Sequence, residues 1–466
     1  MQSKRGKEKV TYEGNAYVFD KFSADHSTKF WRCERKNECK ARLHTSTDNG
    51  QVLMQKNQHN HGSDAAQLRV AVIMAGIKRR ATETTEIPSV ILNTAVQGTS
   101  AAVQAKMPKK DAVRKVIQRI RNVNHAAPPQ PANRAAIIIP EEYRMYKISP
   151  DNMEEFLLWD SGEQDENRIL IFGRQSTGAW TNQIEKLYVD GTFSLAPALF
   201  SQIFVIMAER GGFVLPVLYA LLPNKEGQTY RRMFEAVKGF WPNLNPSSVS
   251  MDFEQAVIGA VRDTFPNCAV HGCLFHLTQN MRKKLAAEAL LNRYNTDPDF
   301  ALDARMIVAL SFVPIDDLDT ALEALSVDLT DDLTPILNWF EDSYVGRLNR
   351  NRTRRRPLFP PQTWSVYERT LNEEARTNNY AEAAHRRMQA EFGVDHPNLW
   401  KFIDGIRAIQ KGRDLVYEQF VRGDQPPAKR RKYLAADQRI RTIVESYDQR
   451  NILEYLRGLA QNFLMD

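Results

Sequence analysis

Apolar residues in the first sixty positions come in short pulses: Tyr17-Val18-Phe19, Phe30-Trp31-Arg32-Cys33 and Ala41-Arg42-Leu43-His44. Short runs of aromatic and aliphatic residues between polar stretches predict strands. From Ala65 to Ala81 the pattern turns helical and ends in Lys78-Arg79-Arg80. Over Pro108–Asn122 the apolar residues Val113, Val116, Ile117 and Ile120 fall at i, i+3, i+4 and i+7, which predicts an amphipathic helix. Lys110, Arg114, Lys115, Arg119 and Arg121 fill much of its remainder, a face suited to water or to DNA. His125 to Asn133, rich in Ala and Pro, reads as a linker.

Ile137-Ile138-Ile139 opens a new folded unit, and after Trp180 the pattern reads strand, strand, strand, helix, strand, helix, strand, helix. The first strand, Leu187 to Asp190, ends in a carboxylate followed by Gly191. Phe200–Glu209 and Phe213–Leu222 form a hairpin around Arg210-Gly211-Gly212, and Thr229–Trp241 is helical. The next strand runs into Asp252, Glu254–Phe265 is a helix, and Cys268–Cys273 is a short strand before a helix through Met281. Three strands, a helix and a fourth strand is the order of a ribonuclease H-like core, in which strands one and four are neighbours. The ends of those strands would bring Asp190 and Asp252 together. Phe300–Leu310, Leu318–Leu325 and Leu333–Tyr344 read as helices of an insertion that closes on the basic tract Arg347–Arg356. Such a tract anchors nonspecifically on DNA through counterion release. Tyr380–Phe392 is a helix in which His385, Arg386 and Arg387 accompany Glu382. Trp400, Phe402, Ile403 and Ile406 continue into another helix, and Arg439–Leu464 closes the chain helically.

Composition narrows the class. The 466 residues are 42% hydrophobic and 26% charged, values of a globular protein. No apolar run is long enough for a membrane span, and the basic N-terminus lacks the apolar core of a secretion signal. Four cysteines are too few for a disulfide scaffold. The net charge of +7 is compatible with a nucleic-acid partner.

Cys33, Cys39, His59 and His61 supply two thiolates and two imidazoles, the ligand set of a closed structural zinc site. His-x-His cannot share a helix face but suits a strand, where i and i+2 project together. So small a module has little core, and a metal would supply the missing stability. With Tyr17, Phe19, Trp31, Ala41 and Arg42 in order around these ligands, the segment resembles the FLYWCH zinc finger. The resemblance implies a recognition module for DNA or protein.

Two converging aspartates cannot both stay ionised cheaply unless a cation sits between them, and hard oxygen ligands select Mg²⁺ or Mn²⁺. Asp190-Gly191-Thr192-Phe193, Met251-Asp252-Phe253-Glu254, Cys273-Leu274-Phe275-His276 and Thr377-Asn378-Asn379-Tyr380-Ala381-Glu382 together look like the Mutator-like (MULE) transposase domain. The resemblance implies an acidic triad of Asp190, Asp252 and Glu382 holding magnesium; Glu254 is the runner-up for any outer-sphere role. Cys273 and His276 would support the centre by positioning DNA or the third acid.

The expected architecture is a multidomain α+β chain: a small β-rich zinc finger, then a ribonuclease H-like α/β core with a helical insertion. The finger occupies 1–62, a helical connector and linker 63–135, and the transposase domain 136–415. Within that domain the core spans about 185–295 and 375–415, and the insertion about 296–374. A basic and helical tail follows at 416–466, where Pro426–Lys432 suits a nuclear import signal. The expected function is Mg²⁺-dependent DNA cleavage and strand transfer by a zinc-stapled transposase in the nucleus. The alternative is a catalytically silent, transposase-derived transcriptional regulator. DNA is the expected partner, with protein contacts through the finger, self-association as a further possibility and no membrane.

Overall fold

The computed structural model describes residues 8–84, 86–124, 128–351, 353–427 and 431–465. Lys4, Arg5 and Lys7 of the N-terminal basic run, His125–Ala127 of the linker, Arg352 of the arginine tract and Ala428–Arg430 of the C-terminal basic cluster lie outside the described residues. The chain divides into two compact units, Met1–Pro129 and Gln130–Asp466.

The first unit opens with a five-stranded antiparallel meander, β1 (Lys9–Tyr12), β2 (Asn15–Phe22), β3 (Thr28–Cys33), β4 (Arg42–Ser46) and β5 (Val52–Lys56). Its register sets Tyr17 opposite Cys33 and Trp31 opposite Leu43. Tyr17, Trp31, Ala41 and Leu43 form its small core with both cysteines. β5 left no alternating pattern in the sequence because Leu53 and Met54 are exposed. One expectation is corrected here. His59 and His61 do not lie on a strand: β5 ends at Lys56, and Asn57, at φ +63°, turns the chain into irregular backbone.

Four helices follow: α1 (Ala65–Glu83), α2 (Pro88–Val96), α3 (Ala101–Lys106) and α4 (Lys110–Asn124). Val113 and Ile117 of α4 are buried against Ile77 and Ala81 of α1 and Ile91 and Leu92 of α2. Arg121 turns inward and donates to the carbonyls of Thr84 (2.9 Å) and Glu86 (2.6 Å), beyond the end of α1. Lys110, Arg114, Lys115 and Arg119 stay exposed, so α4 has one packed face and one basic, wet face.

After a one-turn helix at Glu141–Arg144, the second unit forms a hairpin, β6 (Met145–Ser149) and β7 (Asn152–Glu155). Seven strands then build one mixed sheet: β8 (Leu157–Asp160), β9 (Leu170–Phe172), β10 (Lys186–Thr192), β11 (Gln202–Arg210), β12 (Phe213–Leu222), β13 (Ser248–Met251) and β14 (Ala269–Gly272). Their order is β14-β13-β10-β11-β12-β9-β8. β10, β11 and β12 run antiparallel, with Gly211 and Gly212 at positive φ in the hairpin turn. β13 lies parallel beside β10, Tyr188 opposite Ser250, and β14 lies parallel beside β13.

Both faces of the sheet are covered, which is why its central strands read as unbroken apolar runs. On one face Val189, Phe204 and Ile206 meet Tyr230, Met233 and Phe234 of the Gly227–Phe240 helix and Val257 and Val261 of the Gln255–Thr264 helix. On the other, Tyr188, Val205 and Met207 meet Ala384 and Met388 of the Asn379–Phe392 helix and Phe402 and Ile406 of the Leu399–Val421 helix. Between the Leu274–Ala287 and Asn379–Phe392 helices comes a helical excursion with helices at Pro298–Ala309, Leu318–Asp328 and Thr334–Phe340. The closing helices Arg431–Glu445 and Ile452–Ala460 bury Ile440, Val444, Tyr455, Leu456 and Leu459 in the same core. Among the described residues no helix is long and apolar enough to cross a membrane.

Arg168, wholly buried, ties the start of this unit together. Its guanidinium donates to both oxygens of Asp160 (2.8 and 2.6 Å) and to the Ile137 carbonyl (2.7 Å). Replacing it with alanine leaves the half-buried Asp160 without its cation and the Ile137 carbonyl without its donor, so Arg168→Ala is expected to destabilise by about 3 kcal/mol. A urea titration of the full chain measures this.

Candidate functional site

Two constellations carry chemistry. In the first, β3 delivers Cys33 and the turn after it delivers Cys39, both buried, while the loop beyond β5 folds back with His59 and His61. Cys33 Sγ lies 3.2 Å from His61 Nε2, Cys39 Sγ 3.4 Å from His59 Nδ1, and the two ring nitrogens 3.2 Å apart. One ligand atom from each of the four residues lies within 4.8 Å of all the others. A zinc tetrahedron with ordinary Zn–S and Zn–N bonds has S···N and N···N edges of about 3.5 and 3.3 Å. These contacts are therefore the edges of a metal-sized tetrahedron, and the donor set fits zinc. Tyr17 Oη stands 2.7 Å from His59 Nε2, the nitrogen facing away from the cluster, where it fixes the ring's orientation.

The second constellation forms at the end of β10. Asp190 sits within the strand, opposite Val205, and β10 runs on to Thr192. Asp252 follows β13 directly, and its Oδ1 accepts from the Phe253 N–H (2.5 Å). Glu382 stands in the first turn of the Asn379–Phe392 helix. Burial lifts the Asp190 carboxyl, and the charges of Asp252 and Glu382 lift it further. His276 and the Gly191 N–H oppose this, and the result is about 6. The three acids thus share one electrostatic neighbourhood. They do not converge as tightly as the zinc ligands: among the described residues only the Cys33–His61 group is gathered so closely.

Two histidines flank the acids. His276, near the start of the Leu274–Ala287 helix, places Nδ1 3.8 Å from Asp252 Oδ1. Burial lowers its affinity for a proton, but a hydrogen bond to Cys273, the charge there, and Asp252 and Asp190 outweigh it and bring it to about 9. His385, one turn beyond Glu382, places Nδ1 3.7 Å from Asp190 Oδ2. Burial, with the nearby His276 charge, lowers it to about 4, so it is neutral at pH 7. Arg386 projects outward and pairs with Glu382 (3.3 Å), whereas Arg387 turns in toward Tyr219 and Arg413.

Cys273 locks these pieces together. Its N–H donates to the Met251 carbonyl (3.0 Å), and its Sγ accepts from the Asn378 N–H (3.0 Å). The Asn378 side chain donates to the Val189 carbonyl (3.0 Å), next to Asp190. Cys273 therefore sets the start of the Glu382 helix against the two acid-bearing strands. Glu254 joins from outside through a relay: Gln202 donates to Tyr230 Oη (2.6 Å), which donates to Glu254 (3.1 Å). A Cβ on Gly191 would come within 2.4 Å of Gln202 Oε1, so glycine here gives the relay its room. Gln202 and Tyr230 gave no signal in the sequence, since each lies in an ordinary strand or helix pattern.

Comparison with known proteins finds two domain families along the chain. The family model of the FLYWCH zinc finger domain matches residues 1–61, and that of the MULE transposase domain matches residues 186–280. The second match includes Asp190, Asp252, Cys273 and His276 and stops well before Glu382. FLYWCH transcription factor 3 of Caenorhabditis elegans is 47% identical over 55 residues, 12% of this chain and 13% of that protein. FLYWCH transcription factor 1 of the same organism is 42% identical over 60 residues, 13% of this chain and 12% of that protein. The likeness to these relatives is thus confined to about an eighth of either protein. The chain accordingly joins a FLYWCH zinc finger at its start to a MULE transposase domain in its second unit.

Proposed function

We propose that the chain is a transposase-derived, DNA-binding protein of the nucleus whose second unit cuts DNA and transfers strands with divalent metal. The observation that supports this reading is geometric: Asp190 and Asp252 lie on and just past two neighbouring parallel strands, and Asn378, at the start of the helix that carries Glu382, donates to the Val189 carbonyl beside Asp190. The strand order, three antiparallel strands with two parallel ones beside the first, favours a ribonuclease H-like core with residues 296–374 inserted.

Asp190, Asp252 and Glu382 would hold Mg²⁺ or Mn²⁺. The donor set is hard oxygen, and the strain on Asp190 is what a cation relieves. Such ions, when bound, activate an attacking oxygen and steady the leaving one in phosphodiester chemistry. The chain's own part is placement and charge. Cys273 and Asn378 hold the third acid's helix to the strands, His276 stands beside Asp252 where it can position DNA, and the relay to Glu254 keeps Gln202 fixed beside Gly191. Zinc, held by Cys33, Cys39, His59 and His61, would staple a finger that recognises DNA or a protein.

A nicking assay on supercoiled plasmid with Mg²⁺ or Mn²⁺ tests the reading. Asp252→Asn and Glu382→Gln are expected to lose cleavage by at least about 100-fold while keeping DNA binding. Variants that cut like the wild type would remove those residues from the centre. The second reading, a silent regulator, draws on the relatives' being transcription factors. It prevails if the wild type binds a specific sequence without cutting.

A further inference from the structure

The Leu274–Ala287 helix leads away from the acid cluster and carries more than His276. One turn on, Asn280 donates to Tyr344 Oη (3.2 Å), and a turn further stand Lys283 and Lys284. Residues at i, i+4, i+7 and i+8 share one helix face. Across from them lie Trp339, Ser343, Tyr344, Leu358 and Phe359, and the two walls enclose an open groove of about 320 Å³. The aromatic wall is joined to the acids through one residue: Phe253, next to Asp252, packs edge-on against Tyr344 (5.6 Å) and Phe359 (5.1 Å). Burial and the charge of Asp252 together push the Tyr344 hydroxyl up to about 12.

The lining is cationic and aromatic. Lys283 is exposed and, among the described residues, has no ion-pair partner, while Lys284 pairs with Glu288 (2.5 Å). Trp339 is half-buried, and Leu358 is exposed at the rim. A hairpin springs from the same wall after Val345 and returns at Pro357, with Leu348 bridged to Arg354. Its base is rigid. Arg354 binds Asp319 (2.6 Å) and Glu341 (2.9 Å), and Gly346, at φ +89°, lies so close to the Arg355 carbonyl that a Cβ would come within 1.8 Å of it. Arg350, Arg355 and Arg356 remain exposed and, among the described residues, without ion pairs.

Resting on the reading of the acids as a DNA-cutting centre, we propose that this groove holds the substrate strand next to the cut: one unstacked base lies against Trp339, its phosphate on Lys283, and the hairpin arginines grip the backbone further out. A ring to stack on beside cations for phosphate is how single strands are held without regard to sequence. A space of about 320 Å³ takes one base and its sugar.

Fluorescence anisotropy of the full chain tests this, with a labelled single-stranded oligodeoxynucleotide and the matching duplex, in buffer free of Mg²⁺ and Mn²⁺. Lys283→Ala, an exposed change safe for folding, is expected to weaken single-strand binding about tenfold relative to duplex binding. It should also flatten the slope of log affinity on log salt by about 0.7. Trp339→Ala is expected to cost the single strand about tenfold, and Trp339→Phe to recover most of that. Circular dichroism checks each fold, and if Trp339→Ala does not fold, Lys283→Ala decides. Single-strand affinities equal to wild type overturn the proposal. If Asp252→Asn stops cutting while both groove variants bind strand normally, the groove fails and the cutting centre stands. If the wild type cuts nothing but the groove variants lose strand affinity, the groove stands and the cutting centre falls.

Discussion

Removing zinc from the full chain, by chelation or by Cys33→Ser, is expected to unfold the β1–β5 sheet and leave α1–α4 folded. The sheet's apolar core is little more than Tyr17, Trp31, Ala41, Leu43 and the two cysteines. Structural zinc binds with about 10–16 kcal/mol in comparable fingers, and in a module this small that free energy is the folding free energy. The helices have their own core, from Ile77 and Ala81 to Val113 and Ile117, and no ligand of the cluster lies among them. Hydrogen exchange reads the two parts separately. Amides of β2 to β4 should lose protection in chelator while those of α1 and α4 keep it, and recognition by the finger should vanish with the sheet. A sheet still protected without metal would mean that its core suffices.

The second large effect has opposite signs on activity and stability. Asp190→Asn should abolish cleavage yet stabilise the protein at pH 7.5 in buffer free of divalent metal. The native Asp190 carboxyl titrates at about 6, above its ordinary 3.8, because the fold disfavours its charge. Its contribution to stability is therefore fully present below about 3.8 and is lost as pH rises through about 6. By pH 7.5 the charged form costs about 3 kcal/mol, at 1.36 kcal/mol per tenfold change in proton affinity. Asparagine removes the charge and most of that cost. Melting curves should place the variant several degrees above wild type at pH 7.5 and close to it near pH 4. A variant that melts lower at pH 7.5 would mean that His276 pairs with Asp190 well enough to make its charge favourable.

The sequence disclosed what repeats or clusters along it. The hairpin of β11 and β12 and the helix carrying Glu382 were legible because long apolar runs and helical spacing report burial directly. The zinc ligands were legible from residue type alone, but not the backbone that presents them: the metal needs four atoms in reach, which a loop after Asn57 meets as well as a strand. β9 is too short, with three residues, to show a period. α2 and α3 are short helices, of nine and six residues, with few buried positions, and they left no clear period either. The relay from Gln202 through Tyr230 to Glu254 and the meeting of Asn280 with Tyr344 were illegible, because each joins residues that only the fold brings together. Likewise, the spacing of Asp190, Asp252 and Glu382 said nothing of His385 turning its ring toward Asp190.

One hydrogen bond, from the Asn378 amide to the Cys273 sulfur, joins residues 105 positions apart, and a second runs beside it from the Leu274 amide to the Arg376 carbonyl. Everything between them leaves and returns through a single doorway, so it forms a tethered ring of chain. Closing a longer ring is cheap, about 0.6 kcal/mol for each doubling of its length. The tether itself therefore sets little limit on the ring's length; what fixes most of the ring is its own packing against the core, through residues such as Met281, Phe312 and Trp364.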